Sequence, residues 1–164
     1  LGHAANGGAS LFGAAMVSIY ATHILAGAAW IGGLPILVLA LAQRDPADGP
    51  RGIATILSRY SALATGAVTL IIASGIANAS FRVQGHLARL VATSYGEILL
   101  VKLLFVAIML VLAYYNRFIV LPRLETARQT PNFSGLSLSV SVELALGVLV
   151  IGAAALLGIT PPPA

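Results

Sequence analysis

The sequence contains no cysteine and very few charged residues. The absence of cysteine from its 164 residues excludes disulfide bonds, thiolate metal sites and cysteine nucleophiles. Only 9% of the residues are charged, against roughly a quarter in soluble domains. The sequence also lacks a hydrolase constellation, a phosphate-binding loop and a dinucleotide fingerprint. We therefore expect neither a soluble domain nor an enzyme.

Long hydrophobic stretches take up most of the chain. Hydrophobic residues make up 59% of the sequence, and four stretches approach or exceed the roughly 20 residues that a helix needs to cross a bilayer. These stretches lack the alternating pattern of barrel strands. The sequence predicts an all-α integral membrane protein, a four-transmembrane-helix bundle forming a single domain over 1–164. The predicted helices cover about 13–42, 58–80, 97–121 and 136–159.

The basic residues are concentrated in two of the three connections. Arg44, Arg51 and Arg59 lie in or beside the first connection, and Arg117, Arg123 and Arg128 in or beside the third. The positive-inside rule places these connections in the cytoplasm, and both termini and the second connection on the outer, periplasmic side. The net charge of +4 thus indicates topology, and we expect a lipid bilayer but no nucleic acid as partner.

The segments outside the predicted helices are short. Residues 1–10 are small and predict an outer linker, and residues 43–52 form a polar turn. Residues 81–95 are amphipathic and predict a segment lying flat at the membrane interface. The "YYNR" of 114–117 is typical of an aromatic and basic interface anchor.

His23 lies at membrane depth, two to three turns into the first predicted helix. Ionisable groups at this depth are rare and usually functional. Met16 precedes His23 by two helical turns and shares its face, and an imidazole with a thioether suits copper better than magnesium or calcium. The alternative is a neutral imidazole hydrogen-bonded to a serine or threonine on a neighbouring helix.

The other two histidines also map to the outer side. His3 lies in the outer tail, where it would either join a metal site or be solvated. His86 is flanked by Arg82 and Arg89 on its own face, and this positive charge opposes a metal ion and favours lipid headgroups.

Trp30 follows His23 on the same helical stripe, and Pro35 predicts a kink one turn further on. For Trp30, packing in the bundle is favoured over a role as the wall of a pathway.

Small residues at helical spacing, including Gly75 with Ala79, predict close helix packing.

Lys102 and Glu143 place two charges inside apolar helices, which is unfavourable if they are unpaired. Glu97 is within reach of Lys102, and Arg117 or Arg123 within reach of Glu143. A buried structural ion pair is favoured over a proton or cation relay.

Several motifs, in this order, resemble the membrane domain of the copper resistance protein D (CopD) family. They are "GHA" at 2–4, "HILAGAAWIGGL" at 23–34, "RYSALA" at 59–64, "SGIANA" at 74–79, "TSYGEILLVK" at 93–102, "NR" at 116–117 and "SVELALGVLVIGAAALLGITPPP" at 141–163.

The resemblance implies a bacterial inner-membrane helical bundle that handles copper, often with a periplasmic copper-binding partner of the CopC type. It implies further helices upstream, so a missing N-terminal helical half or other membrane subunits are expected partners. It places His3 and His23 on recurring histidines, Trp30 and Gly33 on a tryptophan–glycine motif, Lys102 on the helix-three lysine and Glu143 on the helix-four glutamate. Met16 and His86 match no motif of the family.

Three functions follow as hypotheses. The leading one is a copper-handling membrane protein with an outer entry site of His3 and His23, assisted by Met16. The second is a metal-free accessory subunit of a larger membrane complex. The third is a b-type haem protein with His23 as axial ligand, which lacks a second histidine at membrane depth.

Overall fold

A computed structural model describes residues 2–43, 49–83, 93–127 and 134–160, without the side chains of 2–12, 49, 79 and 81–83. Within these ranges every element is a helix. The elements are α1 (Gly2–Ala42), α2 (Gly49–Val83), α3 (Ser94–Tyr115), a π-helical turn (Asn116–Val120), α4 (Leu121–Thr126) and α5 (Ser134–Ile159).

The predicted all-α membrane bundle is confirmed. The described residues contain four helical spans long and apolar enough to cross a membrane, Gly13–Ala42, Pro50–Asn78, Ser94–Thr126 and Ser134–Ile159. Many large hydrophobic side chains point outward, among them Val17, Ile36 and Ile151 at 69%, 70% and 56% exposure. An apolar outer surface of this kind fits lipid as the surrounding solvent.

Two helices begin earlier than predicted. The expectation of a linker over residues 1–10 was wrong for the described part, because α1 starts at Gly2. Once a helix has formed, each further residue adds a hydrogen bond without a new nucleation cost, so α1 extends through this alanine-containing segment. Similarly, α2 starts at Gly49 rather than near 58, because Pro50 is compatible with the first turn of a helix. The interfacial segment predicted at 81–95 lies largely outside the described residues.

The helices pack in a defined order around a core of large apolar side chains. Helix α1 lies between α2 and α5, α5 also packs on α3, and α4 packs on α2. The core includes Trp30, Leu34, Met109 and Val140, all at 2% exposure or less. In the described residues, the main contacts of α2 with the 94–126 span come from α4 and the π turn. The bundle is therefore closed at one end, while α2 and α3 lie further apart at the other.

Close approach of three helices depends on Gly147 in α5. A Cβ atom there would lie 2.8 Å from Ile31 Cγ2 in α1 and 3.6 Å from Met109 Cε in α3. Gly147, Ile31 and Met109 therefore lie at the same level of the bundle. This level is the reference for placing the polar residues.

The π turn interrupts the third span just before Pro122. Pro122 has no N–H to donate to the preceding turn, and the N–H of Leu121 bonds to the carbonyl of Asn116, five residues back. Turns of this type often occur at functional sites. The turn also buries Asn116 at 5% exposure, so the prediction that 114–117 is simply an interface anchor was wrong for this residue.

Candidate functional site

The described polar residues form two groups at different depths. His23 lies eight residues before Ile31, and Lys102 seven before Met109, so both lie roughly 10–12 Å from the Gly147 level towards one end. We call this the His23 end. Glu143 lies one turn from Gly147, roughly 6 Å towards the opposite end, which we call the Glu143 end.

His23 is oriented by a serine of α2. Its Nδ1 lies 3.0 Å from Ser74 Oγ, and Ser74 Oγ donates to the carbonyl of Leu70. Because a hydroxyl has one hydrogen, Ser74 accepts from Nδ1–H of His23 in the tautomer protonated at Nδ1, with its own hydrogen directed to Leu70. In the neutral imidazole, Nε2 then carries the free lone pair. The alternative to a metal ligand was an imidazole hydrogen-bonded to a serine or threonine of a neighbouring helix, and the structure identifies this partner as Ser74.

Gly75 creates the space for the His23 ring. A Cβ at Gly75 would lie 3.4 Å from Cε1 and 3.7 Å from Nδ1 of His23, so the imidazole packs directly over the α2 backbone. The small residue predicted to bring helices together thus also seats the histidine. His23 itself is only partly buried.

Lys102 enters the same region from α3. It lies within electrostatic range of the His23 imidazole and is partly buried. The partner expected for it, Glu97, is exposed, and the structure gives no ion pair between these two described side chains. The His23 end thus brings together an imidazole, a hydroxyl and an ammonium group.

Of the remaining metal-ligand candidates, the structure describes Met16 and the backbone of His3. Met16 is partly buried and starts roughly 10 Å away along α1, seven residues before His23. His3 lies twenty residues before His23 on the continuous helix α1, a rise of roughly 30 Å, so His3 and His23 do not converge. His86 lies outside the described residues. Among the described residues, no group of three or more His, Cys, Asp or Glu side chains is placed to bind a metal ion.

Glu143 occupies the second polar group. It is 2% exposed, and Asn116 Nδ2 donates to its Oε1 at 2.6 Å. Of the two expected partners, Arg117 and Arg123, Arg117 is directed elsewhere. Its Nη1 donates to Ser61 Oγ at 2.7 Å, and its guanidinium lies 5.6 Å from the Phe118 ring centroid. A neutral amide, not an arginine, is therefore the partner of the buried carboxyl group.

Between the two groups, Trp30 and Gly33 pack against α2. Trp30 lies in the hydrophobic core, and its Nε1 has no hydrogen-bond partner there. A Cβ at Gly33 would lie 2.7 Å from Tyr60 Cε2, so the glycine admits the tyrosine ring. Tyr60 Oη donates to the carbonyl of Trp30 at 3.0 Å, close to where Pro35 interrupts the backbone hydrogen bonds of α1. Trp30 therefore fills the interior between the His23 end and the Glu143 end.

Sequence reasoning missed Ser74, Asn116 and Tyr60. A proline six residues after Asn116 is the signal that could have indicated an irregular turn and an inward asparagine. Ser74 carries no comparable signal, because serines facing lipid and serines facing a neighbouring helix look alike in the sequence.

A family model described as Copper resistance protein D matches residues 54–157 of the chain. Copper resistance protein D of Pseudomonas syringae pv. tomato is 29% identical over 146 residues, covering 85% of this chain and 47% of that protein. Inner membrane protein YebZ of Escherichia coli is 32% identical over 145 residues, covering 87% and 48%. Copper transport protein CutJ of Bacillus subtilis is 32% identical over 143 residues, covering 86% and 24%.

These matches cover only part of the relatives' length, and the family match covers only some of the residues in the two polar groups. The chain spans about half the length of the first two relatives. The family match includes Ser74, Lys102, Asn116 and Glu143 and begins after α1. No solved structure matches the chain.

Proposed function

The chain belongs to the copper resistance protein D family, and from this premise we propose that it takes up copper at the His23 end of the bundle. Membership gives it a copper-related role as a multi-pass membrane protein. The inner membrane is the proposed location, since the Escherichia coli relative is named as a protein of that membrane. Copper is the cargo of the protein in this proposal.

One observation carries the proposal, the hydrogen bond between His23 and Ser74. A histidine that binds a metal usually donates its other ring N–H to an outer partner, which fixes the tautomer and the ring orientation. Ser74 lies at hydrogen-bond distance from Nδ1, which supports the proposal that His23 is protonated at Nδ1 and binds copper through Nε2. Imidazole nitrogen is a suitable donor for copper.

The other donors are assigned by position. Met16, two turns along the same face, is proposed as a thioether ligand that approaches His23 when copper is present. His3 and His86 are proposed to receive copper on the outer side, ahead of His23, from a periplasmic protein of the CopC type. With Trp30 filling the interior beyond His23, onward passage requires movement, and Pro35 is the natural place for it.

Replacing Ser74 tests the proposal at the observation on which it rests. Ser74→Ala is expected to weaken copper binding about 10- to 100-fold, the usual effect of losing an outer partner of a metal-binding histidine. The measurement is a copper titration of the purified protein with metal analysis of the bound fraction. Ser80→Ala is the matched control, because Ser80 also donates to the carbonyl one turn back but is exposed. Equal affinities in the two variants would contradict the proposal.

Lys102 is expected to limit copper affinity at this end. Its positive charge opposes a second cation near His23, and a site that passes an ion on must hold it weakly enough to release it. Lys102→Met should therefore bind copper several-fold more tightly, measured by the same titration, whereas Lys102→Arg should resemble the wild type. Weaker binding in Lys102→Met would mean that Lys102 supports the ligands instead.

A metal-free accessory subunit is the second candidate. It is favoured by the lack of a three-residue ligand group among the described side chains and by relatives twice the length of this chain. A stoichiometric partner that co-purifies with the protein, together with no retained copper, would support this candidate. Copper retained by the isolated chain would support the first.

A further inference from the structure

The pair of Glu143 and Asn116 contains a buried acceptor that nothing in the described structure satisfies. Asn116 Nδ2 donates to Glu143 Oε1 at 2.6 Å, while Asn116 Oδ1 is buried without a hydrogen-bond partner. Both side chains are at least 95% buried, with exposures of 5% and 2%. Buried polar atoms are rarely left unpaired, so this oxygen requires an explanation.

The charges around Glu143 do not favour a carboxylate. Arg117, on the same π turn as Asn116, donates to Ser61 instead. From α2, Tyr60 is a titratable group within electrostatic range of Glu143. Its hydroxyl donates a hydrogen bond to the Trp30 carbonyl and not to Glu143. Helix α5 has no other titratable residue, and the Gly13–Ala42 span of α1 has only Tyr20 and His23, both near the His23 end. The titratable residues of α3 are Tyr95, Glu97 and Lys102 towards the His23 end, and Tyr114 and Tyr115, which are exposed. An ionised carboxylate buried with one amide donor is costly inside a bilayer.

A protonated Glu143 resolves both features. A carboxylic acid has one O–H donor and one carbonyl acceptor, and the asparagine amide has the complementary pair. With Nδ2–H of Asn116 donating to Oε1, a proton on Oε2 would supply the donor that the unpaired Oδ1 lacks. We propose that Glu143 is a proton-binding site at membrane depth, whose proton-loaded form is a cyclic acid–amide pair with Asn116.

The proposal places the exchange route of the proton at Ser139. It lies four residues before Glu143 on the same face of α5, and its Oγ is also buried without a partner. It is therefore the next polar group towards the Glu143 end. On loading, a hydronium ion gives its proton to the Glu143 carboxylate and leaves as water, and on release the transfer is reversed.

This site is separate from the proposed copper site. His23 lies roughly 12 Å from the Gly147 level and Glu143 roughly 6 Å from it on the other side, so the two are roughly 18 Å apart along the bundle axis. Trp30 lies between them. The proton site does not require that copper binds at all. Its test therefore uses copper-free protein, and its failure would leave the copper proposal untouched.

Infrared difference spectroscopy on the purified protein in lipid nanodiscs tests the proposal. At neutral pH the wild type is expected to show the C=O band of a protonated carboxylic acid, and the band should disappear reversibly on alkaline titration. Glu143→Gln should abolish the band, while its amide preserves both hydrogen bonds to Asn116 and thus the fold. Glu97→Gln, at an exposed carboxylate, is the matched control and should keep the band.

Asn116→Val provides the second variant. It removes both hydrogen bonds of the cyclic pair, so the band should move to higher frequency if the variant folds as judged by thermal unfolding. An absent band in the wild type at neutral pH, a band that persists in Glu143→Gln, or a band that does not respond to pH would each overturn the proposal.

Discussion

Replacing Gly147 by alanine is expected to destabilise the bundle by about 1–3 kcal/mol, the usual cost of forcing a methyl group into a packed core. The added Cβ would lie 2.8 Å from Ile31 Cγ2 and 3.6 Å from Met109 Cε. Ile31 is the residue that must shift, and its β-branched side chain has few rotamers with which to do so, whereas 3.6 Å to Met109 is ordinary van der Waals contact. Gly147→Leu should cost more and separate α5 from α1 and α3. Thermal unfolding in detergent micelles measures both effects.

Gly152 supplies a control on the same helix. A Cβ at Gly152 would have no atom within 4 Å, so Gly152→Ala should leave the stability unchanged or slightly raise it through helix propensity. An equal loss of stability in Gly147→Ala and Gly152→Ala would show that glycine content, rather than the three-helix contact, matters.

The contact at Gly147 also sets how Glu143 on α5 lines up with Asn116 on the neighbouring span. Glu143 lies one turn away on α5, and Asn116 two turns from Met109 on the same span, so separating α3 from α5 would break their hydrogen bond. A destabilising change at Gly147 should therefore disturb the Glu143 end before the His23 end, where the contacts are between α1 and α2. Close glycine packing is thus the physical basis of the acid–amide pair.

The four spans could be predicted from the sequence because bilayer thickness sets a minimum length for an apolar helix. The family could also be predicted, from motifs distributed along the whole chain. Helix ends were less predictable: residues 2–12 and 49–57 add turns to α1 and α2 that hydrophobicity does not require. Helix extension there depends on a helix already formed by the adjoining apolar residues.

The partners of the polar residues could not be predicted for a different reason. Charge complementarity suggested Arg117 or Arg123 for Glu143, whereas Asn116 of the π turn donates to Glu143 and Arg117 donates to Ser61. Similarly, outer-side placement and the family resemblance suggested that His3 and His23 share a site, but the two residues are twenty positions apart on the continuous helix α1. Inter-helix registers depend on contacts such as Gly147 with Ile31, which spacing within one helix does not reveal.

His23→Ala is expected to have the largest effect on copper. If Nε2 is a ligand, its removal should weaken copper binding by more than the roughly 100-fold upper bound for losing an outer partner such as Ser74. The fold should survive, because Ser74 Oγ still donates to the Leu70 carbonyl and no buried donor loses its partner. Copper titration of the purified variant, with thermal unfolding alongside, measures both properties.

The other two histidines complete the experiment. His3→Ala and His86→Ala should keep the equilibrium copper affinity of the wild type, because α1 separates His3 from His23 and the arginines beside His86 oppose a cation. Both variants should load copper more slowly if these residues receive it first. Equal copper content in His23→Ala and the wild type would remove His23 from the site. If His23 is the ligand, Ser74→Ala should have no further effect in the His23→Ala background, because Ser74 acts on copper through His23.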